Sequence, residues 1–239
     1  MVNLAKMDKW AVGKCFDYSV LGKDTTEADI REGCRTAVKY NCAAFYASSY
    51  FWMPVILEEL KGSDVLPATG VNFPFGNAPN ELKLFECEKI VKAGGKSIDT
   101  TMNIGALKSG MYDVVLQETK DFVKACQGNL SKVILDVAFL TDEEIATGCK
   151  IIAEAGADYA KTATGQFEGP SMEQFLIMKK TLKGTNIGLK VAGVKFPRPQ
   201  NAYCFIMAGA DLIGTRAAPA MIDALDQMRE IGIVPAYQP

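Results

Sequence analysis

The sequence predicts an α/β fold, a single TIM (β/α)8 barrel, and three observations carry the prediction. Helical and strand-like segments alternate along the chain, eight of each. Three helical patterns close on one signal, Ala93-Gly94-Gly95, Ala155-Gly156-Ala157 and Ala208-Gly209-Ala210, each followed by a strand-like run. The chain has 239 residues, close to the roughly 250 that such a barrel takes. Glycine just past the last helical turn adopts positive φ without a Cβ clash. Repeated helix–Gly–strand units indicate βα repeats around a parallel sheet.

In chain order, strand 14–19 is short and leads into helix 25–39, opened by a loose capping box from Asp24 to Glu27. Strand 43–47, helix 54–61 and strand 66–72 follow, and helix 79–93 then closes at Gly94. Strand 97–103, helix 111–126 and strand 132–137 come next. Thr141-Asp-Glu-Glu144 is a capping box for helix 142–155, which ends at Gly156 before strand 159–164. Ser171-Met-Glu-Gln174 is another, for helix 171–182 before strand 187–192. Helix 199–208 closes at Gly209, and the short strand 211–214 and helix 217–229 complete the set. No linker is visible. The Pro-dense stretch Phe196-Pro197-Arg198-Pro199-Gln200 is short and reads as a loop, so residues 1–239 form one expected domain.

Composition narrows the function classes. Hydrophobic residues make up 49% and charged residues 23%, as in ordinary soluble domains. The net charge is −2 with no basic stripe, which argues against a nucleic-acid partner. No apolar run reaches the roughly 18 residues of a membrane helix. The segment from Met1 to Gly13 has no signal-peptide apolar core, and a cytoplasmic protein is expected. The seven cysteines are odd in number, form no CxxC, and read mostly as small core residues. With no histidine in the chain, a zinc site is disfavoured. No metal or other cofactor is expected. Any general acid or base must be Asp, Glu, Lys, Tyr or Cys.

The strands carry the chemistry. Side chains alternate faces with period two, so Ser97, Asp99, Thr101 and Asn103 share one face of strand 97–103. Buried parallel strands normally read as continuous apolar runs, so a polar face is anomalous. Lys161 shares a face with Tyr159 and Ala163, Lys190 with Gly188 and Ala192, and Lys132 with Ile134 and Asp136. Three lysines and two aspartates thus point one way from four strands. A lone mid-strand lysine can simply snorkel or mark an edge strand. A set with opposite charges is an expensive structural choice, because buried charge is costly to desolvate. If the shared face is inward, these groups meet at the C-terminal mouth, where barrels of this kind place their active sites. A lysine desolvated beside another cation is partly neutral and nucleophilic. It can form a Schiff base whose iminium is an electron sink for C–C cleavage.

The strands resemble those of the deoxyribose-phosphate aldolase family of class I aldolases. The matching segments are Ser97-Ile-Asp-Thr-Thr-Met-Asn-Ile-Gly-Ala-Leu-Lys-Ser-Gly110, Lys132-Val-Ile-Leu-Asp136, Ala155-Gly-Ala-Asp-Tyr-Ala-Lys-Thr-Ala-Thr-Gly165 and Gly188-Leu-Lys-Val-Ala-Gly193. Asp17-Tyr-Ser19 and Asn72-Phe-Pro-Phe-Gly76 resemble two shorter family motifs. The resemblance implies Lys161 as Schiff-base lysine, Lys190 as the second lysine that lowers its pKa and shares protons, and Asp99 as the proton-relay aspartate. It implies supporting polar roles for Lys132 and Asp17. Substrate contacts are expected from Asp17, Ser19, Tyr46, Lys132, Thr164, Gly165, Gly193, Lys195, Gly214 and Arg216. Family members are barrels, often dimeric, and cleave 2-deoxy-D-ribose 5-phosphate to acetaldehyde and D-glyceraldehyde 3-phosphate. The implied partner is a small sugar phosphate, and the implied assembly a homo-oligomer, dimer or higher.

This chain is a divergent member by that comparison. Val194 stands where the family has a second Gly after the second lysine, Arg216-Ala217 where it has Ser-Ser, and Gln166 where some members have Lys. A backbone phosphate cradle needs close approach, which a side chain at Val194 opposes. Lys195, Arg198 and Arg216 are nearby cations that either bind an anion as side-chain donors or stand solvated. Tyr18 and Tyr46 replace a common His and a smaller residue. Tyr46, Ser48, Ser49 and Tyr50 make a polar donor pocket or pack the core. Tyr237 could reach the site, as a terminal Tyr does in some relatives. Two alternatives stand beside the default: the same mechanism on a different substrate, a ketose phosphate or keto-acid sugar, and a non-catalytic sugar-phosphate-binding paralogue.

Overall fold

In the computed structural model, which describes residues 2–194 and 198–238, eight parallel strands close into a barrel in sequence order. They are β1 (Phe16–Val20), β2 (Ala44–Ala47), β3 (Leu66–Val71), β4 (Ser97–Thr101), β5 (Leu130–Ile134), β6 (Tyr159–Lys161), β7 (Gly188–Ala192) and β8 (Leu212–Thr215). β8 closes the ring on β1 through Phe16 beside Ile213 and Asp17 beside Gly214. The helices are α1 (Lys9–Val12), α2 (Glu27–Lys39), α3 (Met53–Glu59), α4 (Asn80–Lys92), α5 (Ile104–Lys108), α6 (Tyr112–Ala125), α7 (Asp142–Ala155), α8 (Met172–Thr181), α9 (Pro199–Ala208), α10 (Ala218–Asp223) and α11 (Leu225–Glu230). The predicted fold is the one observed.

Local chemistry explains the boundaries. Thr141 and Ser171 close their capping boxes with Glu144 and Gln174. The box that opens α2 sits two residues later than expected: Thr26 caps it and pairs with Asp29, not Asp24 with Glu27. Gly156 and Gly209 end α7 and α9 with positive φ, as the repeated signal implies. β4 stops at Thr101, because Asn103 turns to cap α5 by accepting from the Ala106 amide. The last expected helix is broken at Ala224 into α10 and α11.

Two apolar layers result. Outward-facing residues such as Phe16, Ile98, Val133, Val191 and Ile213 pack under the helices in one continuous core. Each large side chain so buried contributes about 1.5–3 kcal/mol. Inside the barrel, the apolar cluster of Ala44, Tyr46 and Ala68 is small, and charged side chains take the remaining space. Six of the seven cysteines are buried and Cys204 is exposed. Among the described residues, no helix is long and apolar enough to cross a membrane.

Candidate active site

The parallel register sets the site. Asp99 lies beside Gly70 on one side and Lys132 on the other. Lys161 is flanked by Ile134 and Lys190. Gly214 stands between Ala192 and Asp17. Its missing side chain matters, because a Cβ there would lie 3.0 Å from Lys190 Cε. The Lys190 stem therefore occupies interior space that Gly214 leaves open.

Five charged groups meet within that interior. Lys161 Nζ is 2.6 Å from Asp99 Oδ2, and Lys190 Nζ is 3.2 Å from the same oxygen. Lys190 also pairs with Asp17 Oδ2 at 2.8 Å, and Lys132 reaches that oxygen at 3.3 Å. Three cations thus share two carboxylates, all of them buried. The excess charge shows in the titration. Burial lowers the Lys161 pKa and Lys190 lowers it further, so that despite Asp99 it falls to about 8. Lys190 goes the other way: burial opposes its charge, but Asp17 and Asp99 outweigh burial and raise its pKa. Burial would raise both carboxyls, yet the lysines hold Asp17 and Asp99 below the ordinary range. At the centre of the strands, then, lies one lysine poised to lose its proton beside another that keeps it.

A cavity of about 840 Å³ opens above this cluster. Asp17, Ser19, Tyr46, Asp99, Lys161 and Lys190 reach its wall. Thr164, Gly165, Gly193 and Arg216 join them from the loops after β6, β7 and β8, and Gly214 from β8 itself. Gly165 and Gly193 both have positive φ, and a Cβ on Gly193 would lie 3.1 Å from Gly165 Cα, so the two loops meet through bare backbone. Arg216 is exposed at the rim with no carboxylate partner among the described residues. Lys195 lies outside the described residues.

Four expectations are corrected. Lys132 does not reach the cavity. It is buried beneath the wall, where it donates to Ser97 Oγ at 2.6 Å and Tyr46 Oη at 3.0 Å, and so supports the site without a route to a ligand. Asp136 is not in the charged cluster. β5 ends at Ile134, the Asp136 backbone turns to φ 46°, and its carboxylate accepts from the Thr164 amide and hydroxyl at 2.7 and 3.1 Å. The second aspartate of the cluster is Asp17. Asn103 leaves the polar face to cap α5. Tyr237 packs over the Arg229 guanidinium 5.1 Å away, while the adjoining Gln238 amide donates to Ala5, at the opposite end of the barrel from Lys161.

Sequence reasoning missed an aromatic rim. Phe73 and Phe167 line the cavity. The ring centroids of Phe75 and Phe139 each lie 5.7 Å from that of Phe167. These side chains come from three loops, and no periodic pattern marks a loop. Among the described residues no three His, Cys, Asp or Glu side chains group as a metal site.

Known proteins resemble this chain in sequence and in fold. A family model described as DeoC/LacD family aldolase matches residues 12–197. A deoxyribose-phosphate aldolase of Streptococcus suis (strain 05ZYH33) is 36% identical over 213 residues, covering 89% of this chain and 96% of its own. One from Caldicellulosiruptor saccharolyticus is 36% identical over 220 residues, covering 90% and 99%. The solved tetrameric deoxyribose phosphate aldolase of Aeropyrum pernix superposes with a TM-score of 0.84 at 25% identity, covering 92% of this chain and 93% of that one. With the family model spanning most of the barrel and its charged interior, the chain belongs to the DeoC/LacD family of aldolases.

Proposed function

We propose that this chain is a class I aldolase whose Lys161 forms a Schiff base, and that its substrate is 2-deoxy-D-ribose 5-phosphate. The observation that carries the proposal is the Lys161 amine, buried, shifted to about 8, and 2.6 Å from Asp99. The names of the relatives supply the substrate.

The neutral Lys161 amine adds to C1 of the open-chain sugar, and loss of water leaves an iminium. A base takes the proton of the C3 hydroxyl, the C2–C3 bond breaks, and its electron pair flows into the iminium to give an enamine. D-Glyceraldehyde 3-phosphate departs. A proton returned to C2 restores the iminium, and water releases acetaldehyde and the free amine. Asp99 and Lys190, 3.2 Å apart, are the groups placed to take and return protons, through a water. Gly165, Gly193 and Arg216, on the loops above the cluster, are the groups proposed to meet the phosphorylated end of the substrate, with Gly214 beneath them on β8. We further propose that the chain works as one domain in the cytoplasm and assembles as a homo-oligomer.

Val194 and the exposed Arg216 favour one alternative, the same chemistry on a ketose phosphate or a keto-acid sugar instead. A substrate panel separates the two. Turnover of 2-deoxyribose 5-phosphate at least tenfold above any ketose phosphate supports the default, and the reverse order rejects it. Ligand binding without turnover of any panel member, surviving Lys161→Ala, would instead indicate a non-catalytic paralogue.

A further inference from the structure

Tyr46 is a buried phenol whose hydroxyl touches Asp99 and Lys132 and whose ring lies against Lys190. Its Oη lies 2.7 Å from Asp99 Oδ1 and 2.7 Å from Ser97 Oγ. Lys132 Nζ is 3.0 Å from that Oη and 2.6 Å from Ser97 Oγ. Lys190 Nζ stands 3.9 Å from the centre of the Tyr46 ring. We propose that Tyr46 is a positioning residue that ties down Asp99 Oδ1 and leaves Oδ2 as the one oxygen serving Lys161 and Lys190. This rests on the Schiff-base role of Lys161.

The donor directions are forced. An ammonium only donates and an ionised carboxylate only accepts. Lys132 therefore donates to Ser97 and Tyr46, and the Tyr46 proton goes to Asp99. That leaves Ser97 to donate to Tyr46, so the chain runs Lys132, Ser97, Tyr46, Asp99 in one sense. Bonds aligned in this way polarise one another, which strengthens the last of them. Burial, with the charges of Asp99 and Asp17, raises the Tyr46 pKa far above its usual value, so the phenol keeps its proton and remains a donor.

The charged groups facing Tyr46 come from five strands: Asp17 on β1, Asp99 on β4, Lys132 on β5, Lys161 on β6 and Lys190 on β7. Asp99 is the one carboxylate the hydroxyl touches. A carboxylate that accepts a strong hydrogen bond on Oδ1 carries less charge toward the lysines on Oδ2. It therefore holds the Lys161 proton less firmly, and the amine is freer to attack a carbonyl. Tyr46 acts through Asp99, without a reacting atom of its own.

Tyr46→Phe keeps the ring under Lys190 and removes only the donor. Ser97→Ala leaves the phenol in place and cuts the chain one step earlier, which covers the case in which the Phe variant misfolds. The measurement is the rate at which cyanoborohydride traps acetaldehyde on Lys161, followed by mass as a function of pH, together with kcat and KM for cleavage. In Tyr46→Phe the trapping midpoint should move up by about half to one pH unit. Its kcat should fall roughly three- to tenfold with KM changed less than about twofold. Ser97→Ala should shift the midpoint the same way by less. One common midpoint in wild type and both variants, with adduct in each, would overturn the Tyr46 role alone. No adduct in wild type at any pH would remove the Schiff base and the Tyr46 role with it.

Discussion

Asp99 Oδ2 is shared by two lysines, with Lys161 Nζ at 2.6 Å and Lys190 Nζ at 3.2 Å. The sharing is unequal in consequence. Lys190 has a second carboxylate in Asp17 at 2.8 Å and holds its proton, while Lys161 pairs directly with Asp99 alone among the described residues and has a cation beside it. The lysine with the poorer share of negative charge is the one proposed as the nucleophile.

Activity should therefore rise with pH. With Lys161 at about 8, only its deprotonated form attacks, so kcat/KM climbs below pH 8 and levels off above it. At pH 7 roughly a tenth of the amine is neutral, against less than about 0.1% for an ordinary lysine. A pH–rate profile of the free enzyme checks this. A profile flat between pH 6 and 8 would remove the lowered amine from the mechanism.

Asp17 should matter more to stability than its distance from the reacting carbon suggests. It balances Lys190 and Lys132, and breaking a buried pair from one side costs about 3–5 kcal/mol. Asp17→Ala should lose that much in urea unfolding at pH 7. The folded-state pKa of Asp17 is depressed: burial raises it, but Lys132 and Lys190 outweigh burial. Its stabilising contribution is accordingly complete above the unfolded pKa of about 3.9 and is lost as pH falls below it. The gap between wild type and variant should close in acid. A gap that stays constant from pH 7 to 3 would contradict the assignment.

Gly214→Ala probes the room left for Lys190. The added Cβ would stand 3.0 Å from Lys190 Cε and 3.1 Å from Ala192 Cβ. Lys190 must then give way from Asp99 and Asp17. Displacement of this order lowers kcat by roughly 10- to 100-fold, with the circular dichroism spectrum retained. Full activity in the folded variant would mean that Lys190 tolerates movement and is not held for catalysis.

Arg216 is exposed at the cavity rim, so its effect should be on binding and should depend on salt. Arg216→Ala is expected to raise KM for a phosphorylated substrate by about tenfold, as loss of one charge-assisted contact does, and to leave kcat alone. Raising salt should shrink the difference. An unphosphorylated analogue should show no such change, and an equal effect on both would rule out an anion contact.

Most of the barrel can be read from residues 14 to 229, because helix caps and glycine stops are local signals. Period two put Lys132, Lys161, Lys190 and Asp99 on shared strand faces but left open whether those faces point inward, which the closed barrel and the burial of all four answer. Asp136 was misplaced for a physical reason: period two assumes the strand continues, and here it ends at Ile134 with a left-handed turn two residues on. Asn103 failed in the same way at the end of β4. Tyr46 left packing and polar roles both open in the sequence, because its partners Ser97 and Asp99 lie 51 and 53 residues away. The Phe75, Phe139 and Phe167 rim depends on loop geometry that carries no periodic signal.

The most direct measurement is reductive trapping with substrate, digestion, and mapping of the adduct by mass. An adduct on the peptide that carries Lys161, absent from Lys161→Arg and accompanied there by a loss of kcat/KM of about 10⁴-fold or more, is the predicted result. An adduct on Lys190 or Lys132, or none with any aldehyde or ketone in the panel, would contradict the central claim that Lys161 is the nucleophile.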